Sequence, residues 1–314
     1  MTLFFSDFKF INKELSECRV CPRDCGANRL MGELGYCKTN AGFNISSICI
    51  HKGEEPAISG DKGICNVFFS HCNLQCIYCQ NYQISCNNSP VIKSKTINGI
   101  INNIIEILKT GINILGFVSP SHNAPQVKEI IVALRNRGFN PVCVWNSNGY
   151  DKVETLKMLE SFIDVYLPDF KYVNNYDAKE FSDANNYPEV ALKAIKEMCF
   201  QKGTKLYLDK NNIVERGVII RHLVLPKKAD ESIKLLKLIA DEIGTKTTIS
   251  LMSQYHPTEN VKNHKLLKKK LLNNDYKKVV EAMNDLGFNN GWIQQPDSSL
   301  NYIPDFNREE PFGK

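Results

Sequence analysis

Three cysteines, Cys72, Cys76 and Cys79, form a Cys-x3-Cys-x2-Cys pattern directly after the apolar run of residues 67–69. Thiolates in such a tight loop are ligands for zinc or for an iron–sulfur cluster. Three thiolates on a cubane cluster leave the fourth iron without a protein ligand, so that this iron is open to a substrate. A purely structural site would usually have a fourth protein ligand. If the loop binds a [4Fe-4S] cluster, the spacing therefore indicates a reactive cluster and not a structural one.

A zinc knuckle is the alternative for the same segment. Short Cys-x2-4-Cys spacings also bind zinc, and either Cys65 or Cys86 would then be the fourth ligand. On spacing alone the two interpretations are equally supported. The three thiolates by themselves therefore leave zinc and an iron–sulfur cluster open.

A second group of cysteines, Cys18, Cys21, Cys25 and Cys37, precedes the first. Four thiolates satisfy a tetrahedral zinc ion or complete a second iron–sulfur cluster. Nearby arginines would offset the negative charge of such a site; they are Arg19, Arg23 and Arg29. We favour structural zinc, with a second cluster used in electron transfer as the alternative.

Composition restricts the class of protein. The chain has 314 residues, of which 43% are hydrophobic and 23% charged, as in globular proteins. Its twelve cysteines in short-spaced groups suit metal binding in a reducing cytoplasm better than a disulfide framework. No apolar run approaches the ~18 residues of a membrane span, and no basic flank marks a signal peptide. We expect a cytoplasmic protein with no membrane and no nucleic-acid partner.

Alternating apolar runs predict the elements that position the cysteines. Short runs rich in branched and aromatic residues predict six strands, at 67–70, 112–118, 141–145, 163–167, 218–225 and 247–251. Amphipathic helices are predicted between them, at 97–109, 124–137, 153–159, 189–202 and 230–243. This alternation predicts an α/β fold with a parallel sheet, in the form of a partial (β/α)6 barrel.

The same pattern predicts three parts of the chain. Residues 1–64 form a Cys-rich N-terminal metal-binding module, and residues 65–253 form the partial barrel. Residues 254–314 are expected to be a C-terminal extension that packs on the barrel.

Polar residues follow several predicted strands, where parallel α/β folds bind their ligands. They are Ser119 and Ser121 after the second strand, Asn146 and Asn148 after the third, and Asp169 and Lys171 after the fourth. Helix N-capping, a polar turn and a structural salt bridge are the respective alternatives to ligand binding. In the fifth strand Arg221 and His222 alternate faces, so at most one of them points into the barrel.

The cysteine segment resembles the signature of radical S-adenosylmethionine (SAM) enzymes, in which an aromatic residue precedes the last cysteine. Tyr78 fills that place. The flanking residues favour this resemblance over a zinc knuckle; they include Phe68, Phe69, Asn73, Gln80 and Asn81. The resemblance implies that SAM binds the open iron and that one electron cleaves it into methionine and a 5′-deoxyadenosyl radical. This radical then removes hydrogen from a substrate.

Further segments are similar to the activating enzymes of glycyl radical enzymes. They look closer still to the PflX-type iron–sulfur proteins, which are related to the pyruvate formate-lyase activating enzyme. The segments cover residues 54–60, 118–122, 146–149, 221–226 and 251–257. The resemblance implies that Lys171 and His256 lie near SAM. One departure is that Ser119 and the three residues after it replace the Gly-Gly-Glu run that binds the SAM ammonium in activating enzymes.

The sequence thus predicts a radical SAM enzyme, an oxidoreductase of the activating-enzyme type, with a [4Fe-4S] cluster and SAM as cofactors. The resemblance implies a flavodoxin or ferredoxin-type reductant, and a glycyl radical enzyme or a peptide as substrate. One alternative is a radical SAM enzyme that modifies a peptide or small molecule. The other is a non-catalytic zinc-binding scaffold.

Overall fold

A single sheet forms the centre of the fold. The structure is a computed structural model that describes residues 9–89, 95–296, 303–308 and 310–313. Within these residues the sheet has nine strands: β1 (Ile45–His51), β2 (Ile64–Phe69), β3 (Ile114–Val118), β4 (Val142–Ser147), β5 (Val165–Pro168), β6 (Tyr207–Leu208), β7 (Val214–Leu223), β8 (Thr248–Met252) and β9 (Gly291–Ile293). Their order is β1-β2-β3-β4-β5-β7-β8-β9, and β6 pairs with β7.

Strands β2, β3, β4, β5, β7, β8 and β9 run parallel, whereas β1 and β6 are antiparallel to their partners. Parallel neighbours need crossover connections, which helices supply here. In the described residues the α-helices are α1 (Lys9–Leu15), α2 (Pro56–Ser59), α3 (Tyr82–Ser85), α4 (Ile97–Leu108), α5 (Ala124–Arg135), α6 (Val153–Leu159), α7 (Asn175–Ser182), α8 (Tyr187–Lys202), α9 (Ala229–Glu242) and α10 (Asn273–Asp285).

The predicted α/β fold with a parallel sheet is confirmed. Each predicted strand corresponds to an observed one, namely β2, β3, β4, β5, β7 and β8, and the predicted helices correspond to α4, α5, α6, α8 and α9. The structure adds β9 as a further parallel strand and β1 as an antiparallel edge. The pattern missed β1 because serines interrupt its apolar residues, and β9 because it has only three residues.

Side chains along the parallel strands alternate between the surrounding helices and the interior of the barrel. On β2, Cys65 and Val67 pack in the large core under the helices, whereas Ile64 belongs to a separate interior core. That interior core also contains residues at or near the starts of other strands: Ile114, Val142, Val144, Val165 and Val214. An apolar layer therefore fills the end of the barrel where the parallel strands begin.

The short helix α2 closes that end. Because β1 is antiparallel to β2, the chain leaves β1 beside the start of β2, where His51 pairs with Ile64. The chain then turns inward, and Ala57 and Ile58 of α2 pack in the interior core. We call residues 54–60 the floor of the barrel.

The last described part of the chain packs on the opposite side of β1 and β2 from the helical core. The rings of Phe306 and Phe312 contact that of Phe68, with ring centres 5.2 and 5.7 Å apart. These three residues share a small apolar cluster with Cys49 of β1 and Val118 of β3. Among the residues placed by the structure, no helix has the length and hydropathy needed to cross a membrane.

Candidate metal and cofactor site

A cavity of about 600 Å³ lies above the floor, at the carboxyl ends of the parallel strands. All three thiols of the loop after β2, those of Cys72, Cys76 and Cys79, line it. Most of the residues predicted to hold SAM also line it: Tyr78, Ser119, Asn146, Asn148, Asp169 and Lys171. The volume is within the range of small-molecule and cofactor sites.

The cysteine loop is anchored at its start by His71. The backbone of His71 is in the left-handed region, with φ of 63°, and turns the chain out of β2. Its buried ring contacts the carbonyl oxygens of Cys37 and Ser89 at 3.0 and 3.2 Å. Asn87 adds a second anchor, because its Oδ1 accepts from the Cys72 N–H and its Nδ2 donates to the Cys72 carbonyl. The start of the loop is therefore held by contacts with the N-terminal segment, through Cys37, and with the segment that follows the loop, through Asn87 and Ser89.

Each of the three sulfur atoms accepts a hydrogen bond from the surrounding protein. Asn148 Nδ2 donates to Cys72 Sγ at 3.2 Å. The Ser182 hydroxyl donates to Cys76 Sγ at 2.9 Å, and the Ser85 hydroxyl donates to Cys79 Sγ at 3.3 Å. Donors aimed at sulfur favour thiolates and tune the potential of a bound cluster. The donor set therefore fits a cluster held by three thiolates.

Single metal ions make a tighter demand on their ligands than a cluster does. Among the residues that the structure describes, no group of three or more His, Cys, Asp or Glu is arranged to hold one metal ion. On a cubane, by contrast, each thiolate binds its own iron. The two cysteines proposed as a fourth zinc ligand, Cys65 and Cys86, do not line the cavity.

Two of the predicted SAM contacts serve the cysteine loop itself. The Asn148 amide contacts both Cys72 Sγ and, at 2.8 Å, Asn73 Oδ1. Tyr78 is buried, and its hydroxyl lies 2.7 Å from that of Tyr172. These side chains shape the wall of the cavity around the cluster position.

Ser121 and His256 lie outside the lining of the cavity. Ser121 belongs to a short 3-10 turn, Ser121–Asn123, that is buried under the N-terminal segment. Arg29 holds this turn by donating to the His122 carbonyl at 2.6 Å and to Asn123 Oδ1 at 3.2 Å. His256 follows β8, but the chain at that point has already left the cavity, which Gln254 still lines.

A network of charged side chains crosses the interior from β4 to β7. Arg221 donates to Asp169 Oδ1 at 2.8 Å, to Asn146 Oδ1 at 2.6 Å and to Glu54 Oε2 at 3.3 Å. Lys171 Nζ donates to Asp169 Oδ2 at 2.6 Å. Burial alone would raise the pKa of Asp169, but the charges of Arg221 and Lys171 outweigh burial and hold that pKa below its usual value. Asp169 is therefore a paired carboxylate at neutral pH.

The alternation expected at Arg221 and His222 is observed. Arg221 points into the cavity, whereas His222 is buried on the helical side, between the Phe170 carbonyl and the Ser232 hydroxyl at 2.7 and 2.9 Å. Burial lowers the pKa of His222 to about 4, so this ring is neutral.

Sequence reasoning assigned no role to the carboxylates of the floor. Glu54 Oε1 accepts from Asn66 Nδ2 and Asn146 Nδ2 at 3.0 and 3.2 Å, and Glu55 lines the same cavity. The sequence signal for a role of these carboxylates is a pair of glutamates directly before Pro56. The segment around them otherwise contributes only to the resemblance to activating enzymes. Their position depends on the antiparallel β1, which the pattern missed.

The N-terminal cysteines form a neighbouring group. Cys18, Cys21 and Cys37 are buried and Cys25 is exposed. Burial raises the pKa of the Cys21 thiol, and the nearby thiols of Cys37, Cys18 and Cys25 raise it further. A cation bound between such thiols would favour their thiolate forms.

The segment with these four cysteines packs against the cysteine loop after β2. Arg23 Nε donates to the Asn73 carbonyl at 2.8 Å, and its guanidinium lies 3.7 Å from the centre of the Tyr36 ring. The Tyr36 carbonyl accepts from Asn87, the residue that anchors Cys72. The two cysteine groups are thus joined by direct contacts.

Comparison with known proteins gives a family match over the cysteine loop. Residues 58–187, which include the cysteine loop, match the family described as a 4Fe-4S single cluster domain. An uncharacterised protein of Methanocaldococcus jannaschii, MJ0674, is 27% identical over 275 residues, which are 84% of this chain and 73% of that protein.

Two solved structures share the fold. SuiB of Streptococcus suis, bound to S-adenosylmethionine, superposes with a TM-score of 0.50 at 11% identity, over 72% of this chain and 48% of SuiB. The FeFe-hydrogenase maturase HydG of Carboxydothermus hydrogenoformans gives 0.50 at 16% identity, over 73% and 52%. The chain spans about half the length of these structures. Both are radical SAM enzymes, and this chain shares their fold. Residues 58–187, which match the 4Fe-4S single cluster domain, lie within that fold.

Proposed function

We propose that this protein is a radical SAM enzyme that binds a [4Fe-4S] cluster through Cys72, Cys76 and Cys79. One observation carries the proposal: the three thiols line a single cavity, and each accepts a hydrogen bond from a neighbouring donor. A [4Fe-4S] cluster held by these three residues would supply the electron for reductive cleavage of SAM to methionine and a 5′-deoxyadenosyl radical, the species that would remove hydrogen from the substrate.

The residues of the chain would bind and orient the reactants. The Asp169–Lys171 pair lies in the cavity and offers a cation to the SAM carboxylate. Ser119 lines the cavity directly after β3 and has a left-handed φ of 51°; it is proposed to replace the missing Gly-Gly-Glu run as a hydroxyl or carbonyl partner for the ammonium. Asn146 is already bonded to Arg221 and Glu54, so it orients that network.

The N-terminal cysteines are proposed to bind zinc or a second cluster, in a module of residues 1–64 ahead of a barrel at 65–253 and an extension at 254–314. All twelve cysteines are free thiols, which supports a reducing cytoplasm as the working compartment. The reductant is proposed to be a flavodoxin or ferredoxin. The proposed substrate is a glycyl radical enzyme or, as the second candidate, a peptide or small molecule.

Anaerobic purification followed by iron, sulfide and zinc analysis tests the proposal. We expect about four irons in the open site, a paramagnetic signal of the reduced cluster that SAM perturbs, and release of 5′-deoxyadenosine on reduction. If the protein contains zinc in addition to about four irons, the four N-terminal cysteines are assigned to zinc. About eight irons would assign them to a second cluster.

Matched serine variants locate the cluster. Cys72→Ser is expected to lose the iron and the 5′-deoxyadenosine, while Cys199→Ser, on α8 outside the cavity, should keep both. If the protein holds zinc alone and takes up no iron on reconstitution, the proposed radical SAM activity is contradicted and the non-catalytic zinc-binding scaffold is favoured.

A further inference from the structure

The floor of the barrel carries a carboxyl group that the proposed SAM chemistry does not use. Glu55 lines the cavity and is only 8% exposed, and its Oε2 has no hydrogen-bond partner among the described residues. Its neighbour Glu54 differs, because Asn66, Asn146 and Arg221 all contact it. Buried polar atoms are nearly always paired, so an unpaired oxygen on a cavity wall indicates a place for a ligand.

A second unpaired polar atom lies on the same turn. Ser59 lines the cavity at 5% exposure, and its Oγ also lacks a partner within the described ranges. The Ser59 N–H donates to the Glu55 carbonyl at 2.9 Å, so the two residues share one turn of α2. Ser250 of β8 lines the cavity as well, and its hydroxyl lies near enough to the Glu55 side chain to lower the pKa of that carboxyl. One carboxyl and two hydroxyl groups therefore belong to residues that line the same cavity.

The nearby cations are already paired with other residues. Arg221 directs its N–H groups at Asp169, Glu54 and Asn146, and Lys171 pairs with Asp169. In the part of the chain that is described, Glu55 forms no ion pair. Burial raises the pKa of Glu55; Arg221 acts against this and Glu54 adds to it. The charge of Arg221 therefore compensates Glu55 only in part, and a cation bound in the cavity would add the direct ion pair that Glu55 lacks among the described residues.

Part of the cavity wall is apolar and aromatic. Phe68, Met252 and Trp292 line the same cavity. An aliphatic chain packs well on such walls, and an aromatic face such as that of Trp292 also attracts a cation. A ligand with a cationic end and an apolar stem would match both parts of the cavity.

We propose that the floor binds the cationic nitrogen of the substrate, a primary amine on an aliphatic chain. Glu55 accepts from the ammonium, and Ser59 and Ser250 complete its hydrogen bonds. This proposal rests on the proposed function, because the amine would be the substrate from which hydrogen is removed above the floor. The apolar stem lies along Phe68 and Met252 and reaches toward the three thiols.

Anaerobic titration calorimetry of the reconstituted holoprotein, with SAM present, tests the site. The probes are butylamine and its neutral analogue 1-butanol, in potassium chloride buffer at constant ionic strength. We expect butylamine to bind about 10- to 100-fold more tightly than 1-butanol, as for one charge-assisted hydrogen bond in a buried site. Glu55→Gln should abolish this preference, and Ser250→Ala should weaken it. Glu106→Gln, on the exposed face of α4, should keep it.

Equal binding of the two probes, or an unchanged preference in Glu55→Gln, would overturn the amine site. Cleavage of SAM to 5′-deoxyadenosine is measured on the same preparations and separates the two proposals. If SAM is cleaved but butylamine has no preference, the floor assignment fails and the proposed function stands. If no cluster forms and SAM stays intact while the butylamine preference persists, the proposed function fails and the floor still binds amines.

Discussion

A buried carboxyl group without a direct ion pair makes the stability of the folded chain depend on pH. Burial raises the pKa of Glu55 above its unfolded value of about 4.3. The folded state therefore binds more protons than the unfolded state between these two values. Stability linked to Glu55 is fully present below the unfolded pKa and is lost as the pH rises through the folded one. Three groups influence this carboxyl directly: Arg221, Glu54 and Ser250.

Glu55→Gln removes this dependence, and we expect the variant to be more stable than the wild type at neutral pH. The gain in melting temperature should grow as the pH rises from about 4.3, because only the wild type must ionise a buried acid. Melting curves of both proteins between acid and neutral pH check this. A difference that stays constant with pH would contradict the raised pKa, and Glu106→Gln is the exposed control.

At the scale of elements, the turn after β4 depends on a glycine. Gly149 has φ of +78°, and a Cβ there would overlap the Asp169 carbonyl and lie 2.8 Å from the Tyr187 hydroxyl. That hydroxyl donates to the carbonyl oxygens of Asn148 and Asp169, both at 2.8 Å, and so joins the ends of β4 and β5. The close approach of these two strand ends places Asn148 beside the cysteine loop.

Gly149→Ala and Gly138→Ala form a matched pair that separates crowding from backbone strain. Gly138 has a similar φ of +82°, but a Cβ added there would meet no atom within 4 Å. Gly138→Ala should lose about 1–2 kcal/mol of unfolding free energy from strain alone. Gly149→Ala should lose roughly 1–3 kcal/mol more from overpacking. Urea denaturation measures both, and equal losses would contradict the crowded turn.

The elements could largely be predicted from the sequence, whereas the lower half of the cavity could not. The strands with buried faces, β2, β3, β4, β5, β7 and β8, have clear apolar runs, and the cysteine loop is marked by its own spacing. The floor has neither signal. Its helix α2 is only four residues long, and its place inside the barrel depends on the pairing of β1 with β2, in which His51 lies opposite Ile64. Ser121 and His256 illustrate the same difficulty, since adjacency to a strand end does not determine which way a side chain points.

For the whole molecule, three distant parts of the chain meet at one cavity. The N-terminal segment anchors the cysteine loop through the contact of His71 with the Cys37 carbonyl. The floor closes the bottom of the barrel through α2. The last described residues reach the cavity through Phe312, whose ring lies 4.0 Å from that of His51. Gln83 fixes this tail by donating to Asp305 Oδ1 and accepting from the Phe306 N–H.

Phe312 covers part of the cavity, and its removal should expose a bound cluster to oxygen. Its ring packs against those of His51 and Phe68, and such aromatic contacts are worth about 0.5–1.5 kcal/mol each. The two contacts together amount to about 1–3 kcal/mol, so Phe312→Ala should increase the population of the uncovered state, and the rate of cluster loss in air, roughly 5- to 150-fold. The decay of the visible absorbance of the reconstituted protein measures that rate. Phe200→Ala is the control, because Phe200 is 85% exposed on α8 and does not line the cavity. Equal decay in the two variants would show that the tail gives the cluster no protection.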